Sequence, residues 1–270
     1  MTFHRILPGC EKGDLDAWKA FLANYTPMAL RLLAVYTPRT PEEQWNCWRD
    51  ALQALSASDS TLLRSFSHHS EREFMVELRA FLLDQVADRL DPSHDSADPP
   101  TPSDESLGPL LNGLPVIHQE VIFLTLAGYS QYTIEIMLRI TPGVAADGLE
   151  RLRNTYAAIL ERHEDRCLWP VAWVGISKAA RAAETTDCTP LRQLIRILDG
   201  QASWYDKAPA EVHRARCLHC LERWAALLEV VAWDRARPDL PAEKLESLLA
   251  VIPARQEKRK TSFLHRMLGR

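Results

Sequence analysis

The chain is predicted to be all-α, and three observations support this. Apolar residues recur at the three- and four-residue spacing of helices through nearly all of the chain. Residues that favour helix starts stand ahead of several of these segments. The strict alternation of apolar and polar residues that marks a strand is absent. With 270 residues, of which 46% are hydrophobic and 25% charged, the chain has the composition of a globular protein and the length for more than one core.

Residues 1–91 are predicted to form a helical bundle. Thr40, Pro41 and Glu43 make a capping box, with proline at the first helical position, at the start of one helix. Ser70 and Glu73 repeat the capping signal for a longer helix, which should end at Asp91-Pro92. A helix ahead of both, over residues 14–36, places large side chains at helical spacing: Trp18, Phe21, Leu22, Tyr25, Leu32, Leu33 and Tyr36.

The segment 92–108 differs in composition from the rest of the chain. It is rich in Pro, Ser and Asp, and residues 92–107 contain four acidic residues and no basic one. A stretch of this kind has too few apolar side chains to offset the entropy of ordering it. We therefore predict a flexible acidic linker and a domain boundary here.

Residues 109–165 are predicted to form three helices. The first ends near Gly128, Ser130 caps a short second helix, and Thr141 with Pro142 begins the third. A short helix, a tight turn and a longer helix is the pattern of a helix-turn-helix. A helical hairpin that serves only for packing has the same pattern, and the spacing leaves both interpretations open.

The remainder of the chain is divided into three segments: a connecting helix over 166–187, a metal-binding helical domain over 188–237, and a helix with a basic tail over 238–270. His213, Cys217 and Cys220 follow an H-x3-C-x2-C pattern. If they lie in one helix they share a face, and Cys188 from the preceding helix could complete a tetrahedral zinc site. The alternative is that these cysteines are small core residues, because the same face continues into Trp224.

Two neighbouring residues are weaker candidate ligands. His219 lies about 100° off the face shared by the other three residues, which argues against it. Cys167 would be the substitute if Cys188 were too distant. The six cysteines are too sparse for a secreted disulfide framework, so a metal or redox role suits them better.

Composition also bounds the location and the class of function. No apolar run is long enough to cross a membrane, and the first residues lack the apolar core of a signal peptide, so we expect a cytoplasmic protein. Residues 1–165 carry a net charge of −10 and residues 166–270 carry +6, which favours docking between the two parts. No phosphate-binding glycine loop or catalytic motif is present, so we do not expect an enzyme.

The order of these segments resembles that of a known family. Residues 13–36 together with 40–91, which include GDLDAWKAFLANYTPMALRLL and EFMVELRAFLLDQVADRL, resemble region 2 of the extracytoplasmic-function sigma factors of RNA polymerase. Residues 110–160, with LPVIHQEVIFLTLAGYS and ITPG, resemble their region 4. Residues 188–220, including the LDG after the first helix, resemble the zinc-binding anti-sigma domain.

The resemblance implies a fold, a cofactor and partners. It implies a region 2-like bundle, a linker, a region 4-like helix-turn-helix and a zinc-binding domain whose ligands are Cys188, His213, Cys217 and Cys220. Its partners would be core RNA polymerase and promoter DNA, with the zinc domain able to dock within the molecule. The DNA-binding residues it implies are Thr141, Arg151, Arg153, Arg79 and Arg89.

One departure from the family supports a second function. The start of the expected recognition helix has Ala146, Asp147 and Gly148 where sigma factors usually present basic and polar side chains. Aspartate repels phosphate and glycine weakens a helix. The alternative is therefore a sigma-derived adaptor that binds a regulatory protein partner and no longer reads promoter DNA.

Overall fold

The structure is a computed structural model that describes residues 1–36, 40–57, 60–65, 69–87, 107–108, 111–161, 169–234 and 240–252. Within these ranges it leaves out the side chains of Arg151 and of residues 155–161 and 169–172. The predicted all-α class is confirmed, since the described ranges contain helices and no strand. No helix in these ranges combines the length and the apolar character needed to span a membrane.

The N-terminal part contains five helices: α1 (Phe3–Lys12), α2 (Leu15–Tyr36), α3 (Pro41–Ser56), α4 (Leu62–Ser65) and α5 (Glu71–Ala87). The sequence prediction missed α1, which ends at Gly13 in the left-handed conformation that glycine tolerates (φ 79°). The capping box of α3 is confirmed, with Thr40 and Glu43 each accepting a hydrogen bond from the other's backbone N–H. Ser70 and Glu73 make the same reciprocal bonds at the start of α5.

The middle of the chain forms α6 (Val116–Leu126), α7 (Gln131–Leu138) and α8 (Pro142–Glu161). These agree with the three predicted helices. Ser130 caps α7 by accepting a hydrogen bond from the backbone N–H of Thr133, and Gly128, with φ 92°, lies in the turn that follows α6. Arg139 occupies the left-handed conformation at the end of α7 (φ 56°), a position more often held by glycine.

The C-terminal part contains α9 (Trp169–Ala182), α10 (Leu191–Leu198), α11 (Trp204–Arg214), α12 (Leu218–Asp234) and α13 (Ala242–Leu249). The expectation that His213, Cys217 and Cys220 lie in one helix is wrong, because the chain leaves one helix after Arg214 and begins another at Leu218. Of the predicted linker, residues 92–106 lie outside the described ranges, as do residues 253–270 of the basic tail. Leu107, at the end of the linker segment, is fully buried.

Helix α12 lies at the centre of the molecule. It packs against α2 and α5 of the N-terminal part, against α6 and α7 of the middle part, and against its own neighbours α9, α10 and α11. Trp173 on α9 meets the ring of Phe123 on α6 edge-on, while α9 also packs on α5. One hydrophobic core therefore joins residues of all three parts of the chain.

A polar cluster is buried within this core. Arg79 on α5 donates hydrogen bonds to Glu222 and Glu229 on α12, at 2.6 and 2.5 Å, and all three side chains are at most 1% exposed. Tyr36 and Tyr129 both donate a hydrogen bond to Oε1 of Glu229. Residues of the N-terminal, middle and C-terminal parts thus meet around a single carboxylate, with Tyr129 in the turn between α6 and α7.

Candidate metal centre

Two separate stretches of chain bring four candidate ligands together. Cys188 lies in the loop between α9 and α10, while His213, Cys217 and Cys220 lie around the break between α11 and α12. Their ligand atoms all lie within 4.8 Å of one another, so this Cys3His cluster could hold a metal ion. Cys220 is fully buried and the other three are half-buried. The four residues that the sequence singled out are thus adjacent in the fold.

The spacing within the cluster suits a tetrahedral ion. The sulfur atoms of Cys188 and Cys217 lie 3.7 Å apart. Two thiolates bound to one zinc ion at the usual distance of about 2.3 Å are separated by about 3.8 Å when the geometry is tetrahedral. The Nε2 atom of His213 is buried and has no hydrogen-bond partner among the described residues. A metal ion would give this nitrogen the partner that a buried polar atom requires.

The break between α11 and α12 is what allows the three C-terminal ligands to converge. In an uninterrupted helix His213 and Cys220 would be separated by about 10 Å along the axis, too far for both to reach one ion comfortably. Instead, hydrogen bonds of the tighter i→i−3 kind form at the end of α11, from the N–H of Arg216 to the carbonyl of His213 and from that of Cys217 to Arg214. The four residues predicted from the sequence thus lie close enough to share one ion, although the single helix assumed for three of them is interrupted.

Backbone N–H groups point at the sulfur atoms. The N–H of Thr185 donates to the sulfur of Cys188 at 3.3 Å, and the Thr185 hydroxyl lies 3.5 Å from the same atom. The N–H groups of Cys220 and Thr189 similarly interact with the sulfurs of Cys217 and Cys220. Such bonds stabilise thiolates, which are the form that binds a metal.

The three thiols differ in acidity because their surroundings differ. Partial burial works against ionisation of Cys188, but the hydrogen bonds from Thr185 lower its pKa to about 6. Burial raises the pKa of Cys220 to about 12. Burial, together with the neighbouring Cys188, also raises the pKa of Cys217. In the absence of a metal ion, Cys188 is therefore the readily ionised member of the cluster.

The turn that carries the ligands is held by α6, which sequence reasoning did not connect with the site. Gln119 donates from Nε2 to the carbonyls of Leu114 and Ala215, at 3.0 Å each. Glu120 pairs with Arg214 at 2.9 Å, and both side chains are almost fully buried. The guanidinium of Arg214 also stacks over the ring of Trp224, 4.2 Å from its centroid. Adjacent polar residues within a mostly apolar helix, Gln119 and Glu120 in VIHQEVIFLTL, were the available signal.

The two weaker ligand candidates have different outcomes. His219 is buried outside the cluster, with Nδ1 3.1 Å from the carbonyl oxygen of Arg181, in agreement with its exclusion. Cys167 lies outside the described residues. The alternative in which the cysteines serve as core filling accounts for Cys220, whose neighbour Leu221 belongs to the core, but it leaves the polar convergence on Cys188 unexplained.

Of the residues expected to bind DNA, three belong to α8 or directly precede it, and Arg79 lies on α5. Thr141 and Arg153 are exposed on α8 or at its start. The side chain of Arg151 is outside the described part of the structure, and so is the whole of Arg89. Arg79 requires a correction: it is fully buried and paired with Glu222 and Glu229, so in this conformation it is not available to DNA.

Gly148 also has a structural explanation. A Cβ atom added there would lie 3.1 Å from the side chain of Val121, so the glycine allows α8 to approach α6 closely. Asp147 beside it is exposed. The start of α8 therefore combines a packing glycine with an exposed acidic residue where the resemblance leads one to expect bases.

Comparisons of the chain with protein-family models, with curated proteins and with solved structures found no match.

Proposed function

We propose that the protein is a sigma factor-like transcription regulator whose C-terminal part binds zinc and holds the two sigma-like parts in a closed arrangement. The zinc ligands would be Cys188, His213, Cys217 and Cys220. Three sulfur donors with one imidazole favour zinc over the harder cations Mg²⁺ and Ca²⁺. A cytoplasmic location belongs to the same proposal, because reduced thiols and RNA polymerase are both found there.

The observation that carries the proposal is the position of Arg79. The resemblance assigns this residue to promoter recognition, and in the structure it is covered by α12 of the C-terminal part. The same helix packs against α6 and α7 of the region 4-like part. A C-terminal unit that contacts both sigma-like parts would hold them together, so that they could not take separate positions on DNA. The ion pairs between Arg181 and Asp84, and between Arg72 and Asp199, add further contacts of the C-terminal part with α5.

Zinc would have a structural role in this arrangement. A four-coordinate site with no open position stabilises a fold and supplies no reactive water. The three cysteines would bind the ion through sulfur and His213 through nitrogen. Thr185 and the backbone N–H groups would orient the thiolates.

Metal analysis of purified protein tests the zinc site. We expect wild-type protein to retain zinc at close to equimolar amounts after dialysis, and the Cys217→Ser, Cys220→Ser double variant to lose it. Cys10→Ala is the matched control, because Cys10 is also a buried free cysteine but belongs to α1. Similar zinc contents in the wild type and the double variant would contradict the site.

Transcription with core polymerase tests the sigma-like activity. Purified protein should support promoter-specific initiation weakly when loaded with zinc and more strongly after the zinc is chelated. The matched variant is Glu222→Gln with Glu229→Gln, which keeps both side-chain shapes and removes the charges that hold Arg79. The absence of initiation from wild type, chelated protein and variant alike would rule out this function.

The second candidate function is a sigma-derived adaptor for a protein partner. The specific observation in its favour is the start of α8, where Asp147 is exposed and Gly148 packs against Val121. A salt titration of DNA binding separates the two functions. A protein that makes several phosphate contacts loses affinity steeply as salt rises, whereas an adaptor gives no binding to titrate, even with Glu222→Gln and Glu229→Gln in place.

A pull-down from the native cell extract provides the complementary observation. Recovery of core polymerase subunits with the zinc-loaded or chelated protein supports the sigma-like function. Recovery of one unrelated protein without polymerase supports the adaptor.

A further inference from the structure

Two polar residues of α6, Gln119 and Glu120, contact the turn that carries the candidate metal ligands. They come from a different part of the chain and stand next to each other in a helix whose buried face is otherwise apolar. Gln119 is 3% exposed and Glu120 5%. A buried polar side chain in such a helix needs a partner. Near His213, Gln119 has a hydrogen-bond acceptor and Glu120 has an ion-pair partner.

The contact of Gln119 satisfies a carbonyl that the end of α11 leaves unpaired. The last carbonyls of a helix have no partner within it, and Ala215 occupies the C-cap position of α11. Its oxygen accepts a hydrogen bond from Nε2 of Gln119 at 3.0 Å. The same Nε2 donates to the carbonyl of Leu114, just before α6. One amide group therefore links the start of α6 to the residue midway between two metal ligands.

The contact of Glu120 fixes the residue next to a ligand. Arg214 follows His213 directly, and its Nη2 lies 2.9 Å from Oε1 of Glu120. Arg214 also stacks over Trp224 on α12. The guanidinium thus joins α11, α6 and α12 at one point, on the side of the turn that Gln119 also touches. A ligand whose adjoining backbone is held in place has fewer orientations to lose when a metal binds.

We infer that Gln119 and Glu120 are positioning residues of the metal site, so that docking of α6 and binding of the metal ion favour each other. The inference rests on the proposed zinc site and extends it to the region 4-like part of the chain. Coupling of this kind is reciprocal: what α6 adds to metal affinity, the metal adds to the docking of α6. Residues that orient metal ligands from outside the coordination sphere typically change affinity by about 10- to 100-fold.

The test is the zinc affinity of the full chain, measured by competition with a chromophoric chelator. Gln119→Met keeps the length of the side chain and removes the donor, and Glu120→Gln keeps the shape and removes the charge. We expect each variant to bind Zn²⁺ about tenfold more weakly than wild type. Tyr129→Phe is the matched control: it removes one hydrogen bond between the middle part and α12, at Glu229, away from the ligand turn.

The stability of each protein, with and without Zn²⁺, distinguishes coupling from general destabilisation. Coupling predicts that the Gln119 and Glu120 variants lose more stability in the zinc-loaded form than in the metal-free form. Tyr129→Phe should lose the same amount in both forms. Equal losses in both forms for all three variants, or wild-type zinc affinity in the first two, would overturn the inference.

Hydrogen exchange of the wild-type chain gives a second test, which does not depend on whether the variants fold. Removal of Zn²⁺ should speed amide exchange in residues 116–126 as well as in residues 213–220. Unchanged exchange in 116–126 would also overturn the inference. Failure of the wild-type chain to bind Zn²⁺ at all would instead remove the proposed site itself.

Discussion

The three candidate cysteine ligands differ in how readily they ionise, although they lie in one cluster. Hydrogen bonds from Thr185 bring the pKa of Cys188 to about 6 against the opposing effect of burial. Burial raises the pKa of Cys220 to about 12 and also raises that of Cys217. A metal ion binds thiolates, so it must displace protons from those thiols that still carry them.

Zinc binding at pH 7 is therefore expected to release about two protons, from Cys217 and Cys220, because Cys188 is already largely ionised there. Isothermal titration calorimetry in two buffers of different ionisation enthalpy measures this number. Release of about three protons would mean that Cys188 is not preionised.

Alkylation of the metal-free protein tests the same difference by a separate route. Cys188 should react with iodoacetamide faster than buried Cys10 at neutral pH, and its rate should rise through about pH 6 and then level off. A rate that keeps rising up to pH 9 would contradict the low pKa of Cys188.

Within the single helix α8, Gly148 is packed against a neighbouring helix and Gly143 is not. A Cβ atom at Gly148 would press on Val121 of α6, while one at Gly143 would meet nothing within 4 Å. Both positions are helical, so alanine suits the backbone at each of them better than glycine does. Only the packing against α6 separates the two sites.

Gly143→Ala should stabilise the protein by up to about 1 kcal/mol, because alanine loses less backbone entropy than glycine in a helix. Gly148→Ala should destabilise it by about 1–3 kcal/mol, because α8 must move away from α6. Urea denaturation of the two variants beside wild type measures both changes. Equal stabilisation by the two substitutions would show that α6 and α8 are not in close contact at Gly148.

The sequence predicted most helix starts because their signals are local. Thr40 with Glu43, and Ser130 ahead of α7, form their caps within one turn of chain. The break after Arg214 was not predictable in the same way. Neither proline nor glycine stands at Ala215–Cys217, and the turn there is held by Gln119 from a helix almost a hundred residues earlier. A contact of that range leaves no signal in the residues at the break itself.

For the molecule as a whole, the buried cluster around Arg79 joins the N-terminal, middle and C-terminal parts. One guanidinium faces two carboxylates, and burial raises the pKa of Glu229 despite the nearby Arg79. Burial also opposes ionisation of Glu222, but Arg79 and Ser177 hold its pKa below the usual range. The residue types were visible in the sequence as charged residues within the largely apolar segments EFMVELRAFLL and CLERWAALLEVV. Their pairing required the tertiary structure.

Arg79→Ala should destabilise the protein by about 3–5 kcal/mol, because it leaves two buried carboxylates without a cation. The exposed Arg192→Ala is the control and should stay within about 0.5 kcal/mol of wild type. Urea denaturation followed by circular dichroism gives both values. A loss below about 1 kcal/mol in Arg79→Ala would mean that α5 and α12 do not depend on this cluster.

The separation of Cys188 from the other three ligands has a mechanical consequence. A metal ion bound by all four would close the chain between residues 188 and 213 into a ring that contains α10 and α11. Such a ring acts as a reversible cross-link and removes conformational freedom from the unfolded chain, as a disulfide does. A protease that cuts at the exposed Gly200–Gln201 segment would then open the ring. The chain segments before and after the cut would stay joined through the bound ion until the ion is removed.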